Sequence, residues 1–171
     1  IPWHFSQDMT YFKNHTKGAG NNAIIMGKNT YLSIGKRLPY RDNIVLSTTL
    51  DKNNVPNLSP FSFFNVFSAN PPVLVFSPAR RVRDTTVKHT LINAELNREV
   101  VINVVNYAIV QQASLSSTEY DEGVNEFEKA GLTMLPSDIV KPFRVKESPV
   151  QFECKVNDII ALGTGGGAGN L

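Results

Sequence analysis

Cysteine occurs once in this chain of 171 residues, tryptophan once and histidine only three times. A lone Cys154 closes no internal disulfide, so the fold rests on a packed core, as is usual in a reducing compartment. Neither sign of charge is in real excess: 17 Lys and Arg face 15 Asp and Glu, for a formal net charge of +2. That balance builds no field for nucleic acid or anionic lipid, so neither is an expected partner. No stretch reaches the roughly 20 apolar residues that cross a bilayer. The opening residues also lack the basic and apolar regions of a signal peptide. The expectation is a soluble cytoplasmic protein. His4, His15 and His89 show no ligand spacing, and no metal site is expected. With 42% hydrophobic residues the chain suffices for one medium domain or two small ones. It opens on Ile1 rather than Met and stops after GTGGGAGNL without a closing element, so it reads as a fragment.

What is present changes character near residue 49. Upstream, Phe5, Met9 and Phe12 share one face of a helix over about 6–17, which Ser6 caps, Asp8 favours through the dipole and Gly18 ends. The run AIIMG is strand-like, KNTYLSIG suits a short helix, and NIVLST is strand-like again. Residues 1–48 therefore follow the helix–strand alternation of an α/β sheet. Downstream the pattern is mainly β with inserted helices. The polar break Asp51–Asn54 separates two runs able to pair as a hairpin. VLVFS reads as a buried strand, and Asp84 is placed to cap a helix with Val87, Leu91 and Ala94 on one face, ending near Arg98. VVINVVN is a second buried strand by its β-branched content. YAIVQQASLSS suits a helix, and NEFEKAG is a short one closed by Gly131. Val150, Phe152, Cys154 and Val156 alternate with polar residues as in a half-buried strand, which makes Cys154 a small buried hydrophobe rather than a nucleophile.

The strings IPWHFSQDMTYFK, AIIMGKNTYLSIGKRLP and RDNIVLS, in that order and at that spacing, resemble dihydrofolate reductase. Asp8, with Phe12 one turn later, can hydrogen-bond a pterin while the ring covers its face. Gly27, Lys28 and Thr30, where a strand yields to a helix, can meet the phosphates of NADPH. The resemblance implies Asp8 as proton-relay acid, with Ser33 and Arg41 on the folate side. Read without it, Asp8 is an ordinary acid in the first turn of a helix. The family's first strand and its later two thirds, including a second nucleotide-contacting glycine pair, are not found in this sequence.

From about residue 53 to 171 the strings are VPNLSPFSFFNVFSANPPVLVFSPARR, RDTTVKHTL, VVINVVNYAIVQQASLSSTEY, VNEFEKAGLTMLPS and VKESPVQFECKV, with the glycine-rich end. Together they resemble the flavin reductase-like proteins with an FMN-binding split barrel. FMN offers a phosphate and a flat ring, so its site needs hydroxyls, backbone donors and a cation for one, and an apolar slot for the other. Ser59, Ser62, Phe64 and Asn65 fall on one strand and the turn after it, and Ser77 to Arg81 follow the next strand. Arg80, Arg81, Thr85 and Lys88 place cations and a hydroxyl near a helix N-terminus, a ready phosphate site. The resemblance points to these segments as the flavin cradle. Read without it, ARRVR is a solvated helix start, and Phe61, Phe63, Phe64 and Phe67 are core. The terminal GTGGGA fits a dinucleotide-binding G-x-G-x-x-A pattern, but that motif requires a helix next; under the resemblance it is a loop of close backbone approach.

The expected architecture is thus an incomplete FMN-binding split barrel over 49–171, preceded by a small α/β fragment of dihydrofolate reductase type over 1–48. IVLST stands in for the barrel's missing first strand. Two partial families meeting at one strand read as a chimera rather than an evolved bifunctional enzyme. The implied function is hydride transfer from NAD(P)H to FMN in a homodimer. The alternatives are NADPH-dependent reduction of dihydrofolate by the N-terminal part, and a flavin-binding or inert module without turnover.

Overall fold

A computed structural model describes residues 44–171. The elements expected before residue 44, with Asp8, Gly27, Lys28, Thr30, Ser33 and Arg41, lie outside the described residues.

Strand β1 (Val45–Leu50) runs between β2 (Pro56–Phe61) and β5 (Glu99–Val104), and β8 (Gln151–Lys155) joins β5 on the far side, every pair antiparallel. The β1–β2 hairpin turns where the polar break was expected. The Asp51 carboxylate accepts the N–H groups of Asn53 and Val55, both at 2.8 Å, and fixes the turn. Strands β3 (Phe64–Ala69) and β4 (Pro72–Phe76) form a separate two-stranded sheet. Helix α1 spans His89–Asn97, a 3₁₀ turn at Tyr107–Ile109 leads into α2 (Val110–Leu115), and α3 is Glu126–Ala130. The two-residue strands β6 (Met134–Leu135) and β7 (Arg144–Val145) pair with each other.

Both faces of the four-stranded sheet are covered, which is why every residue of β1 is buried. Leu46 and Leu58 on one face pack with Ile109, Ala113, Phe127 and Val145. Val45, Phe61, Val100 and Ile102 on the other meet Phe64, Leu74 and Phe76 of the small sheet, and Phe152, Cys154 and Val156 join them. The alternation read from the last strand holds for Phe152, Cys154 and Val156, whereas Val150 lies before the strand and is exposed.

Burying VLSTTL means burying hydroxyls, and most find partners. The Asn57 and Asn93 amides donate to Thr49 Oγ1 at 3.3 and 3.1 Å, and Thr48 Oγ1 donates to the Phe143 carbonyl. Ser47 Oγ has no hydrogen-bond partner among the described residues. Asn103, fully buried on β5, donates to Leu46 O at 3.0 Å and accepts from Val145 N at 2.8 Å, tying the sheet to β7. On the outer edge, Leu58 N donates to Glu126 Oε2 at 3.0 Å. Burial pushes the Glu126 carboxyl above the ordinary glutamate range, against the opposing effect of that donor.

Several local expectations need correction. Ser59 and the pair Phe64 and Asn65 lie on separate strands, β2 and β3, with Ser62 in the link between them, and Phe63 and Phe67 are exposed rather than core. The helix starts at His89, not near Asp84. Asp84 Oδ1 instead accepts the Thr86 N–H at 3.0 Å and the Thr86 hydroxyl at 2.6 Å, a side-chain turn that competes with helix. VLVF is half-buried rather than fully buried, because β4 pairs with β3 alone.

Candidate functional site

The predicted cradle residues come from two segments, which meet through Phe61, Phe63 and Ser77. Ser59 lies on β2, where it faces Ser47 across the hairpin. Ser62 is exposed in the two-residue link to β3, and Phe64 and Asn65 open that strand. The Asn65 side-chain oxygen accepts its neighbour Val66 N at 2.8 Å. The second segment follows β4, and Ser77 N donates to Phe63 O at 2.8 Å, joining it to the link. Phe61 meets Phe76 edge-on at 5.6 Å, and Lys88 Nζ stands over the Phe61 ring at 5.1 Å from its centroid.

Between Ser77 and Lys88 the chain forms a tight loop. Arg81 N donates to Thr86 O at 2.8 Å, and Thr85 N donates back to Arg81 O at 3.0 Å. Thr85 sits at φ +61°, a left-handed conformation that a β-branched residue adopts only when its surroundings enforce it. Such strain costs on the order of 1–3 kcal/mol and concentrates at functional sites. Arg80 Nη1 donates to Thr85 O at 3.1 Å, and Arg81 Nη1 donates to Thr86 Oγ1 at 3.0 Å and to Val87 O at 2.6 Å. Both guanidiniums thus brace the loop while keeping other N–H groups free for use. Arg80 Nε is buried without a partner among the described residues.

Lys88 is the N-cap residue of α1 and makes no side-chain capping bond. Burial lowers its pKa, the nearby Arg81 lowers it further, and Glu119 acts the other way. A half-buried ammonium beside a strained arginine loop is an electropositive site with donor capacity to spare.

The glycine-rich end packs on this loop. Arg80 N donates to Ala168 O at 2.8 Å, and Gly167 N donates to Arg80 O at 3.1 Å. Asn170 N donates to Ser77 Oγ at 3.1 Å, and its amide donates to Pro78 O at 2.9 Å. A Cβ at Gly166 would stand 2.8 Å from Val82 O, and one at Gly169 would stand 2.6 Å from Ser77 Oγ. At Gly166 backbone meets backbone, so glycine is required, whereas at Gly169 the space is taken by the Ser77 side chain.

Sequence reasoning did not single out Thr86, Glu119 or Asn170, all of which meet the loop. Glu119 lies on the connection after α2, far from the arginines in sequence, and no periodic signal marks it. A cavity of about 770 Å³ opens beside this region, lined by Leu74, Phe76, Pro78, Phe152, Cys154 and Asn170 among others. None of the predicted cradle residues lines it. Burial pushes the Cys154 thiol up to about 11, with the Glu153 charge adding to it.

In sequence and fold the chain matches known proteins. The flavin reductase like domain matches residues 37–166, and the chain belongs to that family. Dihydrofolate reductase matches residues 1–67, so the two matches overlap across β1 and β2. An uncharacterized protein of Halalkalibacterium halodurans is 39% identical over 140 residues, 82% of this chain and 66% of that protein. Component B of nitrilotriacetate monooxygenase from Bacillus cereus superposes with a TM-score of 0.71 at 27% identity, covering 84% of this chain and 70% of that one. A putative flavin reductase with a split barrel domain from Shewanella frigidimarina gives 0.65 at 29% identity, covering 75% and 62%. The mainly β architecture with inserted helices is therefore a flavin reductase split barrel. The chain spans about half to two thirds of the length of the first curated relatives it matches. Among the described residues, no helix is long and apolar enough to cross a membrane.

Proposed function

We propose that the chain binds FMN through Ser59, Ser62, Phe64, Asn65, Ser77, Arg80, Arg81, Thr85 and Lys88. The proposed reaction is that of a flavin reductase with NAD(P)H as hydride donor, in a homodimer. The observation that carries this reading is the strained Arg80–Thr86 loop, whose buried Arg80 Nε has no partner among the described residues and whose neighbour Lys88 is half-buried. Unused donors of this kind suit a phosphate. The flavin, when bound, supplies the redox chemistry. The protein's part is to hold the phosphate on Arg80, Arg81 and Lys88, to cover the ring with Phe64, and to exclude water through the packed glycine loop.

The test is the absorption spectrum of the expressed protein. A yellow protein that bleaches on NADH or NADPH supports the reading, and a yellow protein that keeps its colour supports a non-catalytic flavin module. Colourless protein with methotrexate-sensitive oxidation of NADPH by dihydrofolate transfers the function to Asp8, Gly27, Lys28 and Thr30. The same proposal divides the chain into 1–48 and 49–171, with β1 standing in for the barrel's first strand. It treats the join as chimeric, so one genomic DNA molecule spanning codons 45 to 56 would refute an assembly artefact.

A further inference from the structure

The arginine loop already holds an anion, and that anion belongs to the protein. Glu119 Oε1 lies 3.3 Å from Arg81 Nε, and Glu119 Oε2 lies 3.2 Å from Arg83 Nη2. One carboxylate thus divides its oxygens between two guanidiniums, which is how a phosphate would bridge the same pair. The partners differ in how firmly they are held. The Arg81 side chain is only 19% exposed, and its Nη1 is fixed by Thr86 Oγ1 and Val87 O. Glu119 is 52% exposed on an irregular connection between α2 and α3. If the pair separates, the carboxylate is the part free to leave, and Arg81 keeps its place. Glu119 also raises the pKa of Lys88, as an anion near that ammonium must.

We propose that Glu119 is an internal counter-ion of the arginine loop, which the phosphate of an incoming nucleotide displaces from Arg81 and Arg83. Applied to FMN, this rests on the function proposed above. Glu119 offsets part of the loop's positive charge when no ligand is bound and lowers the apparent affinity for every anion that uses the same guanidiniums. It sets a threshold: a ligand must offer more to the arginines than one exposed carboxylate does.

The experiment compares wild type with Glu119→Gln by calorimetric titration of FMN, riboflavin and inorganic phosphate. Glutamine keeps size and polarity, and circular dichroism melts confirm that both proteins are folded. Removing an exposed competing ion pair should tighten FMN and phosphate by about 1.5-fold to fivefold, with riboflavin unchanged. If phosphate tightens but neither flavin binds, the counter-ion role stands and the flavin function falls. If phosphate binds no better or less tightly, or if FMN binds wild type but gains nothing from Glu119→Gln, Glu119 holds the arginines in place for ligand rather than competing with it, and the proposal is overturned.

Discussion

Replacing Lys88 with methionine separates two effects that most substitutions confound. The ammonium lies over the Phe61 ring at 5.1 Å, is half-buried, and makes no side-chain capping bond to α1. Its desolvation is a cost to the fold, which burial registers by lowering its pKa. Methionine keeps the apolar stem against Phe61 and removes the charge. The stability lost is at most the cation–π contribution, about 0.5–1 kcal/mol, and relief of desolvation offsets it. Ligand binding responds differently. A charge-assisted hydrogen bond to phosphate is worth about 1.5–3 kcal/mol, so the dissociation constant for FMN should rise by about 10- to 150-fold. Riboflavin, which has no phosphate, should bind as before. Quenching of flavin fluorescence measures both ligands, and a thermal melt reports the fold. Equal weakening of riboflavin and FMN, or an unchanged FMN constant, would refute the assignment of Lys88 to the phosphate.

Gly166→Ala forces a Cβ to within 2.8 Å of Val82 O, so the glycine end must lift from the arginine loop; overpacking of this kind costs about 1–3 kcal/mol and should appear as a lower melting temperature. Asn103→Ala leaves the buried N–H of Val145 without an acceptor and opens a void, at a cost of about 3–4 kcal/mol read by urea denaturation. Glu153 accepts the N–H groups of Asp138, Ile139 and Val140 and lies 3.5 Å from Arg144 Nε. Burial alone would raise its pKa, but these groups hold it below the ordinary value of 4.5. The stability it contributes is therefore complete above that value and lost as pH falls through the lower, folded-state pKa. Glu153→Gln should melt lower than wild type near neutrality and show a shallower loss on acidification, checked by melts at successive pH values.

Much of the element order after residue 44 was legible because its signals are local, although the split into β2 and β3 and the short strands β6 and β7 were not. The Asp51–Asn54 turn, the β-branched run of β5, the Gly131 stop and the alternation through Phe152 and Cys154 each need only neighbours in sequence. Asp84 misled because the same carboxylate can cap a helix or close a turn on Thr86, and the turn forms here. VLVF misled because apolar content does not reveal how many partners a strand has. The site divides in the same way. Arg80, Arg81 and Lys88 stand out as a charge cluster beside a helix start. Their confinement by Thr86, by the glycine end and by Glu119 is tertiary, and composition carries no trace of it. The family resemblance supplied the grouping that residue patterns alone did not.

Glu126 has a consequence for self-association. An outermost strand offers a row of unmet amide and carbonyl groups to any other chain, and such rims are where sheets grow into aggregates. Here the Leu58 amide on the β2 rim is already taken by a buried carboxylate. A stranger trying to extend the sheet from that side would have to dislodge a side chain seated in the core, and Pro56 and Pro60 on either side of Leu58 bring no N–H to that rim, so lateral growth is blocked there.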